Sequence, residues 1–196
     1  RFARKGIKIT GIDFSKRSIE YAQQAAVNEK YDINYVCCNY LDYESTDKYD
    51  LITMIMCDYC ALSPDQRKIM LDKFKKILKS DGAILLDVYS INFYNAREES
   101  SIYEFNQMSN FWSADEYFSF QNTFKYDNEK VILDKYTIVE RSGNRLIYNW
   151  LQYFSIESLK KEFEENGLKV SEIFSDVSGS EYNPESFEFA VAAQII

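Results

Sequence analysis

Asp13, Asp58 and Tyr59 have the side chains for chemistry, and each stands just past an apolar run. In "GIKITGIDFSKRSIEYA", residues 6 to 22, the β-branched run Ile7, Ile9, Ile12 ends at Asp13, and Ser15 then caps a helix with Ile19, Ala22 and Ala26 at helical spacing. An acid between strand and helix is where nucleotide-binding α/β units take ribose hydroxyls, with a glycine-rich phosphate loop about 20 residues upstream. That distance reaches back past Arg1. Asp58 and Tyr59 follow "YDLITMIMC", at the kind of strand end where open α/β sheets gather ligands. The chain has no histidine, which removes the usual general base, the serine triad and most catalytic zinc sites. Cys57 and Cys60 make one CxxC, a weak metal signal without a second pair.

The elements that must position these residues follow from patterning. A chain of 196 residues with 46% hydrophobic content fits one domain with room for an inserted subdomain. "INYVCCNYLDY" reads as a strand entering a polar turn at Asn39 to Asp42, and "YDLITMIMC" as a strand buried on both faces. Cys37 and Cys38, like Cys57 and Cys60, read as buried structural thiols of a reducing compartment. In "LSPDQRKIMLDKFKKILKSDG", Ser63 is the N-cap, Pro64 the first helical residue and Gln66 the capping-box partner. Met70, Phe74, Ile77 and Leu78 form the buried stripe, and Gly82 is the expected stop. "AILLDVYS" is a further buried strand, and helices between apolar strands imply parallel pairing.

After Ser90 the character changes to aromatic alternation. "EYFSFQNTFKYD", "KVILDKYTIVER" and "NRLIYNWLQYF" read as antiparallel strands, the last two joined at "SGN". A helix from about Ile156 to Asn166, capped by Ser155 and closed by Gly167, precedes the strand "LKVSEIFSD". No helix fits before "SFEFAVAAQII", so these last two strands form an antiparallel pair. The expected architecture is a Rossmann-like, open, mostly parallel α/β sheet from residues 1–90 and 155–196, with 91–154 as an inserted antiparallel substrate or lid subdomain.

"GIDFS" with its helix, "DYCALSPDQRKIMLDKFKKILKSDGAILLDVYS", and the closing helix, strand and antiparallel strand resemble the class I S-adenosylmethionine-dependent methyltransferases. The resemblance implies S-adenosyl-L-methionine as cofactor, Asp13 as the ribose-binding acid and Phe14 beside the adenine. It puts Asn39 where the family commonly has an Asp facing the adenine amino group, Tyr40 with its backbone N–H toward the ring, and Asp42 as the alternative adenine-side acid. It also puts Cys57 on the cofactor side and turns Asp58 and Tyr59 toward the transferred methyl group as the catalytic pair. It places the first strand and its glycine loop upstream of Arg1, so the chain is expected to begin within the first helix and to bind cofactor weakly by itself.

Methyl transfer from a sulfonium is an in-line displacement governed by alignment and charge placement, so histidine is dispensable. An amine that binds neutral needs no strong base, whereas a hydroxyl calls on Asp58 or a tyrosine, which favours an amine slightly. Trp112, Tyr117, Phe120, Trp150 and Tyr153 make the aromatic segment a substrate lid by cation–π attraction, or else its core or a dimer face. The net charge of −8 disfavours nucleic acid, because phosphate-backbone binding depends on Lys and Arg. With no apolar stretch near 20 residues, the expectation is a cytoplasmic enzyme acting on a small molecule away from membranes, with homodimerisation open. A nicotinamide-dependent oxidoreductase and a non-catalytic module of the same fold are the competing readings; Asp13 suits the former and the missing loop the latter.

Overall fold

The computed structural model describes residues 2–196, which divide into two compact units, one up to Asp47 and one from Lys48 to Ile196. In the first, β1 (Thr10–Asp13) and β2 (Asn34–Cys37) pair in parallel, with Asp13 opposite Cys37. Between them runs α1 (Lys16–Asn28), started by Ser15, whose Oγ accepts the Ser18 N–H at 3.2 Å, and packed through Ile19 and Ala26. Cys37 is exposed and Cys38 half-buried, which corrects the expectation of buried thiols here: among the described residues β2 pairs with β1 alone, so its outer edge is uncovered.

The second unit holds two four-stranded sheets. In the first, β3 (Tyr49–Met54) pairs in parallel with β4 (Leu78–Tyr89), while β10 (Glu188–Ile195) lies antiparallel to both β4 and β9 (Leu168–Phe174), giving the order β3-β4-β10-β9. The final antiparallel pair is as the sequence implied. Ile84, Leu86 and Val88 of β4 are fully buried with Leu71 of α2 (Pro64–Ile77) and Leu159 and Phe163 of α5 (Ile156–Glu165). β3 departs from expectation. It is an edge strand of its sheet, and Leu51 is 41% exposed.

The capping box of α2 forms as read: Ser63 Oγ accepts the Gln66 N–H and Gln66 Oε1 accepts the Ser63 N–H. Its end does not. The helix stops at Ile77, Leu78 is already extended, and Gly82 lies inside β4 where the register with β3 shifts. A Cβ at Gly82 would stand 3.0 Å from the Tyr49 carbonyl and 2.8 Å from the Leu78 side chain, so glycine serves close strand approach rather than helix termination.

α3 (Ile91–Ala96) leads into the second sheet: β5 (Ser100–Phe105), a short turn of helix α4 (Gln107–Asn110), then β6 (Tyr117–Tyr126), β7 (Val131–Glu140) and β8 (Gly143–Gln152), all antiparallel in chain order. β5 and α3 were not legible in the sequence. Among the described residues no helix is long and apolar enough to cross a membrane.

Candidate functional site

In the first unit the parallel pairing of β1 and β2 sets Asp13 at a strand end beside the turn after β2: the Cys38 N–H donates to the Asp13 carbonyl at 3.1 Å. Asp13 Oδ1 accepts the Ser15 N–H at 2.7 Å, fixing the entry into α1, while Oδ2 has no partner among the described residues. Phe14, next in the chain, is 75% exposed, an unusual position for a ring that large. Asn39 Oδ1 accepts the Leu41 N–H at 2.9 Å, and the Asn39 carbonyl accepts the Asp42 N–H at 2.9 Å, so this polar turn is self-bonded. Asn39 and Asp42 are exposed and Tyr40 is half-buried. Asp13 and the exposed Phe14 ring thus stand side by side at the end of β1, with one carboxylate oxygen engaged by the chain itself.

In the second unit the segment after β3 turns on two consecutive left-handed residues, Met56 at φ 70° and Cys57 at φ 57°. Such non-glycine conformations cost about 1–3 kcal/mol each and persist only where surroundings hold them. The holder is Asp87 on β4, 8% exposed, whose Oδ2 accepts the Met56 N–H at 3.2 Å and Oδ1 the Cys57 N–H at 2.9 Å. Sequence reasoning missed Asp87, although an acid inside "AILLDVYS" was a signal that a buried carboxylate needs donors. Met56 projects outward, 81% exposed, while the Cys57 side chain points inward at 3% exposure. Its thiol pKa is raised by its hydrogen bond with Cys60, by burial, and by the carboxylates of Asp87 and Glu188. The Cys57 thiol therefore faces the core, and what this strand end offers is its backbone turn and the exposed Asp58 carboxylate that follows.

Tyr59 requires a correction. It is fully buried, its ring lies 6.0 Å from those of Phe154 and Phe163, and its hydroxyl donates to Glu162. Arg67 binds both Glu162 oxygens, at 2.8 and 2.9 Å, and donates to the Leu62 carbonyl at 2.8 Å. Burial, then the Glu162 carboxylate, raises the Tyr59 pKa well above the ordinary phenol value. A phenol sealed in this way supports the Arg67–Glu162 pair that ties α2 to α5 and does not meet substrate, leaving Asp58 as the catalytic candidate of the pair.

The five aromatics expected to form one lid do not converge: Phe120, 42% exposed, lies on the face of β6 opposite to Tyr117. Tyr117, 1% exposed, donates its hydroxyl to the Gln107 carbonyl, and Tyr153, also 1% exposed, packs 5.5 Å from Tyr94 and accepts from Arg97 at 3.3 Å. Trp112 packs 4.9 Å from Tyr136, with its indole N–H buried and without a partner among the described residues. Trp150 lies on the sheet's other face, against Tyr126 and 45% exposed. Alternation puts neighbouring strand positions on opposite faces, so adjacency in sequence could not make them one surface.

The α/β sheet of the second unit, closed by an antiparallel last strand, and the parallel strand–helix–strand of the first are the elements of the Rossmann-like fold found in solved S-adenosylmethionine-dependent methyltransferases. Residues 1–82 match the family described as a methyltransferase domain. A protein of Geobacillus sp. named as a methyltransferase is 27% identical over 118 residues, covering 58% of this chain and 47% of its own length. A tRNA N(3)-methylcytidine methyltransferase of Schizosaccharomyces pombe is 29% identical over 171 residues, covering 74% of this chain and 52% of its own. The chain thus spans about half the length of the curated relatives it matches. An S-adenosylmethionine-dependent methyltransferase of Clostridium acetobutylicum superposes with TM-score 0.75 at 14% identity, over 99% of this chain and 77% of that one. A glycopeptide N-methyltransferase solved with S-adenosyl-L-methionine superposes with TM-score 0.62 at 11% identity, over 100% and 80%.

Proposed function

We propose that the protein transfers the methyl group of S-adenosyl-L-methionine to a small-molecule acceptor, a nitrogen nucleophile before a hydroxyl. The observation that carries this reading is Asp13 at the end of β1 with Oδ2 unpartnered, followed at once by the exposed ring of Phe14. The sulfonium supplies an already activated methyl group. Asp13 Oδ2 accepts a ribose hydroxyl, Phe14 offers its face to the adenine, and the Asn39–Asp42 turn presents polar groups to the ring edge. Asp58 orients the acceptor and takes the proton that a protonated or hydroxyl acceptor must lose; a neutral amine can lose its extra proton to solvent after transfer.

The tRNA-modifying relative supports a second reading, in which the acceptor is a nucleic-acid base. Against it stands a chain with 31 acidic and 23 basic residues, a poor surface for a phosphate backbone. Incubation with methyl-labelled cofactor and either a panel of amine and hydroxyl metabolites or bulk tRNA separates the two. Label in a small amine is expected, and label only in tRNA overturns the proposal.

A further inference from the structure

The β5–β8 sheet has two unlike faces, and the wrong one is exposed. Along β6, Tyr117, Ser119 and Thr123 are 1%, 0% and 3% exposed, whereas Phe118, Phe120 and Phe124 on the other face are 50%, 42% and 42% exposed. The covered face carries a polar network: Arg97 binds both Asp134 oxygens at 2.7 and 3.0 Å, and Thr123 donates to Asp134 at 2.6 Å. The open face carries rings in register, Phe105 opposite Phe118 and Tyr103 opposite Phe120, and Tyr126 packs against Trp150 at 5.4 Å. A sheet with one solvated face ordinarily puts its polar side outward.

We propose that this aromatic face is covered by the same face of a second copy of the chain, forming a two-fold dimer of stacked sheets. Shape argues for it, since a flat sheet face fits another sheet at about 10 Å better than it fits a small ligand. Size agrees. Three strands of 10 residues and the six-residue β5, at about 3.3 Å per residue and about 4.8 Å between strands, give a footprint of roughly 570 Å² before side-chain relief, to set against the roughly 800 Å² per partner of a stable interface.

Charge decides between a copy of this chain and other occupants. A molecule of net charge −8 repels its own copy, yet among the described residues no outward position of these four strands is acidic. One polar row crosses the face, Ser101, Asn122, Lys135 and Tyr148 in register. A two-fold axis along the strands between β6 and β7 sets Lys135 against the second copy's Asn122 rather than against another lysine, and apolar rows meet apolar or neutral ones on either side. With a single cation, the face lacks the basic rim of a membrane-binding surface.

Light scattering on the eluting full chain at micromolar concentration tests this. The expected mass is twice the 23.1 kDa of one chain. Tyr103→Glu, at a position 75% exposed, and Phe120→Glu should each halve that mass with an unchanged far-ultraviolet spectrum. Tyr21→Glu, on α1 at 78% exposure, should leave it. A monomeric unmodified chain overturns the proposal, as does a folded Tyr103→Glu variant of dimeric mass. A monomer that sediments with phosphatidylcholine vesicles overturns it in favour of a lipid surface.

Discussion

Asp13 commits one half of its carboxylate to the chain: Oδ1 holds the Ser15 N–H that starts α1, and Oδ2 has no partner among the described residues. Asp13→Ala is expected to weaken S-adenosyl-L-methionine binding by about 1.5–3 kcal/mol, the range for a hydrogen bond to a charged group. Calorimetry returning an unchanged affinity would assign the residue to the turn alone. For Tyr59 the expectation is reversed. Tyr59→Phe removes a donor to Glu162 but leaves the two Arg67 bonds to that carboxylate, so stability should fall by about 0.5–1.5 kcal/mol while kcat stays within about twofold. Urea unfolding and turnover measured together check this, and a large loss of kcat at unchanged stability would restore Tyr59 to the chemistry. Both roles depend on where the side chain points, and that is set by packing.

The elements divide by how local their causes are. The Ser63–Gln66 box and the Ser15 and Ser155 caps act within four residues, and each formed where the sequence placed it. The end of α2 departs from the sequence expectation because Gly82, a familiar helix stop, answers instead to the backbone of β3, whose Tyr49 carbonyl a Cβ would approach to 3.0 Å. Gly82→Ala is therefore expected to destabilise the protein by about 1–3 kcal/mol, the range for overpacking, instead of leaving it neutral. Denaturant midpoints of the two proteins decide it; equal midpoints would mean that β4 yields at that point without cost. The turn at Met56 and Cys57 follows the same logic, since its stabiliser, Asp87, lies 31 and 30 positions away in the chain.

For the molecule as a whole, aromatic burial sets the response to alkali. Burial, with smaller effects from the Cys57 and Cys60 thiols, pushes the Tyr89 pKa up to about 12, and burial with the Asp127 hydrogen bond pushes that of Tyr94 to about 12. Both values lie above the roughly 10 of an unfolded tyrosine, so the unfolded chain releases these protons first. Their contribution is complete below about pH 10 and is lost as pH rises toward 12. Melting temperatures followed with tyrosinate absorbance should be flat from these groups between pH 7 and 9 and should fall above about 10; an unchanged melting temperature at pH 11 would contradict the burial.

By itself the sequence determined what depends on neighbours in the chain: the strand–acid–helix unit at Asp13, the three serine caps, and the antiparallel last pair that a connection without a helix requires. The resemblance to the methyltransferases could be read from those same local features. Only the tertiary structure decided what depends on partners far away in sequence. It turned Tyr59 into the core against Glu162, enlisted Asp87 to hold the strained turn beside Asp58, and distributed Trp112, Tyr117, Trp150 and Tyr153 between core and two sheet faces. The physical reason is that strand alternation fixes which residues share a face, while the elements packed against that face determine which side water sees.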